Sequence, residues 1–368
     1  MSRQSWVIGR VWGIPIAVDY SWFLVAILVS WMLARSYFPA EFPGWSNLTY
    51  WSVAIITTLL LFASVLLHEI GHSLTARWFR LPVKRIVLFI FGGIAQIVGE
   101  PPSARAEFWI ALAGPITSLV LGGIFYWFAE WVAPVPQLFA LTKYLYMINI
   151  VLAVFNLIPG FPLDGGRVFR AIVWGTTKNF RKATFIAAGV GRGFAFLFIS
   201  LGALQILSGK IGDGLWTLFI GWFLENAASS QIHLIEIKTA LEGHRVVEAM
   251  SHNFITLPAH MPLSEIVQHH ILGLGRRYAL ISDGHQVVGL LTLHHLQQVP
   301  LAELQHTTAG DIMLPLSSSR YVRPDQDLWE ALELMDAEGV NQLPVVEQGE
   351  VVGVLTREHL LTFLKNLG

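Results

Sequence analysis

The chain has 368 residues, of which 54% are hydrophobic and 13% charged, with a mean hydropathy of +0.56 and a net charge of −1. A soluble chain of ordinary usage is about 25% charged, so much of this one is built for lipid, and the absence of a basic tail or Lys/Arg run argues against nucleic acid as a partner. It has no cysteine, which excludes disulfides, thiolate nucleophiles and cysteine-type zinc sites.

In chain order, the first nineteen positions carry Arg3 and Arg10. No small-residue cleavage site follows the apolar run after them, so they do not form a cleavable signal. Runs poor in charge, each near the ~20 residues that cross a bilayer, mark six expected spans: 20–34, 51–67 (running on through His72), 108–129, 144–163, 183–208 and 214–224. The fifth contains Arg192, and the short sixth ends at Glu225. Trp22, Trp45, Trp51, Trp127, Trp131, Tyr144 and Tyr146 crowd their edges, as interfacial aromatics do. Basic residues concentrate before the first span, after the second (Arg77, Arg80, Lys84, Arg85, Arg105) and after the fourth (Arg167, Arg170, Lys178, Arg181, Lys182). The positive-inside rule then puts both termini in the cytoplasm, and the absence of a transit peptide suggests a cell (plasma) membrane. The second and fourth spans run inward and end at the same depth.

Between the second and third spans, residues 81–97 are too short to cross, and a Gly92-Gly93 pair flanked by β-branched residues suggests a hairpin. Non-helical backbone at membrane depth is tolerated only against protein or water, so the hairpin either lines a water-accessible cavity or is a simple cytoplasmic turn. Beyond Leu224 the composition changes. Of the thirteen histidines, only His68 and His72 precede His233. Residues 232–244 read as an amphipathic linker helix. From 245 the chain is a soluble tandem repeat, with units at 245–300 and 308–366: Val287-Val288-Gly289-Leu290-Leu291-Thr292 reappears as Val351-Val352-Gly353-Val354-Leu355-Thr356. Each copy follows a helical pattern (263–271; 328–338), a strand and a tight turn.

The chemistry centres on His68-Glu69-Ile70-Gly71-His72. Histidines four apart lie on one helix face and can share one Zn²⁺, with the adjacent Glu69 as general base. The bland alternative is a chance match, but ionisable groups in a membrane segment are functional by default. A catalytic zinc takes three protein ligands and one open position. The carboxylates available for the third are Asp19, Glu130, Asp164 and Glu225. Asp164 ends the fourth span in Asn156-Leu157-Ile158-Pro159-Gly160-Phe161-Pro162-Leu163-Asp164-Gly165, where prolines and glycines break the helix and let a short side chain reach a neighbour. Taken alone it would be an ordinary Asp-Gly turn; beside the histidine pair, the ligand role is favoured.

These motifs resemble the site-2 protease family of intramembrane metalloproteases over roughly residues 1–230: the first matches its HExxH, and Asn156 through Gly165 match its second motif. The resemblance implies that His68, His72 and Asp164 bind zinc, that Glu69 is the base and that Asn156 holds the substrate or its oxyanion. Phe91-Gly92-Gly93 resembles the family's re-entrant hairpin, which is thought to present the substrate strand. Ala113-Gly114-Pro115 resembles its third-span Ala-Gly-Pro, where small residues permit close packing; no chemistry is assigned to those. The repeat resembles a tandem pair of cystathionine-β-synthase (CBS) domains, which implies ATP or AMP in the cleft between copies. The family's Gly-x-x-Thr/Ser-x-x-Asp reads here Gly289…Thr292…His295 and Gly353…Thr356…His359, so both copies depart at the last position. Thr292 and Thr356 are the candidate nucleotide residues; the alternative is a dimerisation module in which each Thr merely ends a strand.

The expected architecture is therefore a polytopic α-helical membrane domain of about six transmembrane helices with a re-entrant β-hairpin (1–231), followed by a soluble α/β tandem CBS module. The expected function is intramembrane hydrolysis of peptide bonds in membrane protein substrates, in single-pass proteins or signal-peptide remnants, with modulation by nucleotide and a homodimer through the CBS domains as open possibilities. Two rivals stand beside it. A repeat-regulated transporter or channel should show a polar file or inverted repeats, and neither is visible. A catalytically inactive scaffold sits poorly with an intact Glu69.

Overall fold

The computed structural model describes residues 5–367 except 91, 275, 276 and 285. Arg3 and Phe91 lie outside the described residues. The chain divides into two units, Met1–His233 and Leu234–Gly368.

The first unit opens with strands β1 (Ser5–Val11) and β2 (Ile14–Asp19), joined at Trp12-Gly13, both with positive φ. Helix α1 (Tyr20–Met32) follows, capped by the Asp19 carboxylate accepting from Ser21 N–H, and helical structure continues to Glu41. Helix α2 (Asn47–Trp78) starts where Ser46 Oγ accepts from Thr49 N–H. Strands β3 (Val83–Phe89) and β4 (Gly92–Ile97) form the hairpin expected at 81–97. Helix α3 (Ala104–Trp131) is capped by Ser103 and contains Pro115; α4 (Pro136–Asn156) begins on a proline, whose fixed φ suits a first turn. The fourth expected span ends at Asn156 rather than at 163, because Pro159, Gly160 and Pro162 break the helix. Helix α5 (Asp164–Thr177) starts on Asp164, α6 (Phe180–Leu207) is capped by Asn179, and α7 runs from Ile211 to Leu241. The short sixth segment and residues 232–241 of the expected linker lie in one helix, which no proline interrupts, and 242–244 lie beyond its end.

Among the described residues, five helices are long and apolar enough to cross a membrane: Tyr20–Glu41, Asn47–Trp78, Ala104–Trp131, Pro136–Asn156 and Phe180–Leu207. Their lipid-compatible exteriors are visible as exposed Leu24, Ile27, Leu59, Val120, Ile124, Val154 and Leu197. The sheet runs β1-β2-β3-β4, with β2 and β3 parallel (Ile16 opposite Ile86, Val18 opposite Leu88) and the other pairs antiparallel. Strand β4 is therefore an edge. Ile14 and Ile86 of this sheet pack on Ile70 of α2, between the two histidines, which seats the sheet beside the motif. Helix α3 packs against α2, α4 and α5.

In the second unit, β5 (Thr256–Pro258), β6 (Tyr278–Ser282), β7 (Val287–Thr292) and β8 (Leu314–Pro315) form one sheet, and β9 (Gln342–Glu347) pairs with β10 (Glu350–Thr356). Helix α8 (Leu328–Glu338) precedes β9 and α9 (Arg357–Leu367) follows β10. Each copy has its own core, around Leu263, Ile281 and Leu291 in one and Leu328, Val345 and Leu355 in the other; Leu280, Leu290 and Val354 join them. The repeat extends to detail. A Cβ on Gly289 would meet Met313 Sδ at 2.5 Å, and one on Gly353 would meet Met250 Sδ at 2.9 Å.

Candidate metal centre

His68 and His72 are each 4% exposed, far more buried than solvated imidazoles would be. Their Nε2 atoms lie 3.2 Å apart, and Asp164 Oδ2 stands 3.1 Å from each. The three form the cluster of potential metal ligands found among the described residues. A tetrahedral zinc with bonds of about 2.0–2.1 Å has ligand–ligand edges of about 3.3 Å, so the triangle has the right size. The hydrogen-bond pattern points the same way. His72 Nδ1 is 2.6 Å from the Ile110 carbonyl, which only accepts, so Nδ1 carries the proton and Nε2 presents a lone pair. His68 Nδ1 is bonded to Ser118 Oγ at 2.9 Å. Two imidazole Nε2 atoms and a carboxylate oxygen thus converge at 3.1–3.2 Å, a donor set that one zinc ion would accept.

Local sequence makes this convergence possible. Gly114 of α3 faces the pair, and a Cβ there would run into both Nε2 atoms. Asp164 stands at the N-terminus of α5, where the helix dipole favours a negative charge. Gly165 and Gly166 let the 157–161 segment fold back against that first turn: a Cβ on either would strike the backbone of Leu157, Ile158, Gly160 or Phe161.

Glu69 sits between the histidines on α2, and β4 lies on it. Ala95 N–H donates to Glu69 Oε2 at 3.0 Å. A Cβ on Gly93 would come within 2.5 Å of Glu69 Cγ, so the bare backbone at Gly93 admits the strand to this position.

Comparison with known proteins identifies the family. The model of peptidase family M50 matches residues 56–138 and 132–200, and that of the CBS domain matches 246–301 and 309–366. A Synechocystis protein is 38% identical over 97% of this chain and 95% of its own length, and one from Mycobacterium tuberculosis is 33% identical over 96% and 91%; both bear the name "Putative zinc metalloprotease". The chain belongs to peptidase family M50. A solved site-2 protease from Methanocaldococcus jannaschii is similar as well, at 28% identity over 62% of this chain and 95% of that one, with a TM-score of 0.43. This M50 peptidase is an enzyme of the zinc metalloprotease type, and it carries a tandem CBS pair.

Among the remaining residues singled out in this M50 chain, Asn156 ends α4 and its amide donates to Leu152 O at 3.0 Å, within its own helix. Two of the rival carboxylates are engaged elsewhere: Asp19 caps α1, and Glu225 faces Arg192 at 3.6 Å and accepts from Ser229; the third, Glu130, is exposed near the end of α3 and is not part of the cluster. Thr292 ends β7 and lines a small cavity with His270, Arg277 and Tyr278. Thr356 ends β10, and its Oγ1 accepts from His359 N–H at 3.1 Å. Ser118, the Ile110 carbonyl and Gly114 were not legible as site residues. A serine on an apolar helix and a backbone carbonyl carry no signature; the Ala-Gly-Pro run around Gly114 was the one available sign.

Proposed function

We propose that the chain hydrolyses peptide bonds in or near transmembrane segments of membrane protein substrates, with His68, His72 and Asp164 holding one zinc and Glu69 as general base. The observation that carries this reading is the meeting of three ligand atoms from two separate helices at 3.1–3.2 Å. When bound, zinc lowers the pKa of water to about 7 and polarises the scissile carbonyl. Glu69 takes the proton of the attacking water and returns it to the leaving amine; the Ala95 N–H on its Oε2 keeps the carboxylate oriented. A helical substrate hides its peptide groups in its own hydrogen bonds and must unwind before attack. Strand β4 is the edge of its sheet, and an unwound strand would add to it by main-chain pairing beside Ala95, whose N–H Glu69 occupies. Asn156 keeps a second amide N–H for the developing oxyanion.

The finer architecture belongs to the same proposal. Residues 1–231 form the protease domain, with α7 supplying a sixth span and 83–97 a re-entrant hairpin. A linker at 232–244 leads to CBS repeats at 245–300 and 308–366, and both termini face the cytoplasm of a plasma-membrane protein. The CBS pair takes ATP or AMP with Thr292 and Thr356 as contacts, and it dimerises.

The deciding experiment is zinc content and cleavage of a membrane-embedded substrate in wild type, His68→Ala and Glu69→Gln. One zinc per chain in wild type, its loss in His68→Ala, and retained zinc without cleavage in Glu69→Gln are expected. A wild type purified without zinc and not binding it on addition would overturn the reading.

A further inference from the structure

Asp164 and the two imidazoles sit on different helices, so something must hold α5 in register with α2. Both meet α3. On α3, Glu107, Ile110, Gly114 and Ser118 recur at i, i+3, i+7 and i+11, which is one helix face. Ile110 holds His72, Ser118 holds His68 and Gly114 admits both rings. Glu107, fully buried, does not touch them. It pairs instead with Arg170, on the helix that begins at Asp164.

Arg170 is held from every side. Its Nε donates to Glu107 Oε1 at 2.7 Å, and Nη2 bonds the same oxygen. Its guanidinium lies over the rings of Phe161, at 4.9 Å, and Phe180, at 4.6 Å, while Nη1 reaches Thr184 Oγ1 at 3.4 Å. Phe161 belongs to the segment leading into Asp164, and its backbone abuts Gly191 of α6; Phe180 opens α6. One side chain thus ties α3, α5, α6 and the segment before Asp164 together. Glu107 Oε2 has no partner among the described residues. Such a pair is a weak source of stability, since apolar residues of similar volume hold a fold as well or better; its specific effect is to fix register.

The geometry points to Glu107 and Arg170 as positioning residues of the metal centre: the pair sets where α5 stops along α3, and so how far the Asp164 carboxylate reaches toward His68 and His72. This inference rests on reading those three residues as the zinc site.

The test uses the full chain in detergent and compares wild type with Glu107→Gln, Arg170→Lys and the double variant Glu107→Leu/Arg170→Met. Zinc affinity is measured by chelator competition, and ligand geometry by the visible spectrum of the cobalt-substituted protein. Partners hydrogen-bonded to the ligands contribute about 10–100-fold to metal affinity; this pair acts one contact further out, so each variant should bind zinc about 10-fold more weakly with an altered cobalt spectrum. The double variant removes both charges together and should keep wild-type helix content and melting temperature, which separates positioning from folding. A folded double variant with wild-type zinc affinity and cobalt spectrum would overturn the inference while leaving the zinc reading intact. If the double variant does not fold, Arg170→Lys, which keeps the charge, decides by the same readouts. Failure of every variant to fold also overturns it, because the pair is then a stability element. A wild type that binds no zinc sinks the metal reading itself.

Discussion

Gly114→Ala isolates the metal centre from the fold that carries it. A Cβ at this position would stand 2.5 Å from His68 Nε2 and 2.6 Å from His72 Cε1, and still nearer to His72 Nε2. Ordinary non-bonded contacts of carbon begin at about 3.5 Å, so the rings must retreat by about 1 Å. Metal sites tolerate about 0.2 Å in ligand distance. The rings have little room to swing, because each Nδ1 is anchored to Ser118 or Ile110. Zinc affinity should therefore fall by at least about 100-fold, beyond what loss of an outer partner costs. Overpacking costs about 1–3 kcal/mol and the better helix propensity of alanine returns about 1 kcal/mol, so metal-free protein should fold and melt no more than a few degrees below wild type. The assay is zinc retained per chain across a chelator series, read beside the melting curve of the metal-free protein. A variant that holds one zinc with wild-type affinity would refute the claim that this glycine marks the ligand convergence.

Ser118→Ala removes the His68 Nδ1 partner, and zinc affinity by chelator competition should drop about 10-fold. Gly93→Val should push Glu69 out of line while leaving the ligands alone, so zinc stays and kcat falls by about 100-fold, within the range general bases contribute; loss of zinc instead would contradict the division of roles. Burial, and then neighbouring His294, hold the His295 imidazole below its ordinary pKa, and its Nδ1 faces the Thr292 N–H at 3.4 Å as an acceptor. The unfolded chain titrates near 6.5, so below that pH it takes up the proton first. The contribution to stability is full above about pH 6.5 and is lost as pH falls toward the depressed folded value. The CBS-unit melting transition, followed downward from pH 7.5, should fall less steeply in His295→Gln. Thr356→Val removes the acceptor for His359 N–H and should cost about 1 kcal/mol in denaturant melts, as lost N-caps do.

What was readable from sequence followed physical periodicity. The i, i+4 histidines and the Pro/Gly break before Asp164 are local signals, and the structure brings those three side chains together. The repeat strands were legible because turn and alternation recur in both copies: 287–292 and 351–356 fall within the observed strands. Strands β1 and β2 escaped detection. Ser5–Val11 is exposed along most of its length rather than alternating, and β2 gains its place by parallel pairing with β3, seventy positions on in the register Ile16 to Ile86, which no local pattern encodes. The extent of α4 was overread because apolar residues continue past Asn156, although Pro159 and Gly160 end the helix. The partners of the histidines were invisible for a different reason: orientation by a carbonyl or a lone serine depends on which helix lies alongside.

The way the site is held follows from its surroundings. Between helices in lipid, burial of apolar surface supplies little drive, and association relies on close packing and hydrogen bonds. Precision at the metal must then come from places where backbones approach and from polar contacts that fix rotation. Gly114 brings α3 against both imidazoles, Gly93 brings β4 against Glu69, and Gly165 with Gly166 brings the 157–161 segment against the turn that presents Asp164. Ser118 and the Ile110 carbonyl then fix the rings. Helix α3 is the common wall: it orients the histidines directly and, through Glu107 and Arg170, meets the helix that carries the aspartate. Substitutions that enlarge this wall should therefore damage metal binding before they damage the fold, whereas substitutions on the lipid-facing side of the same helix, at Val120 or Ile124, should leave zinc affinity unchanged.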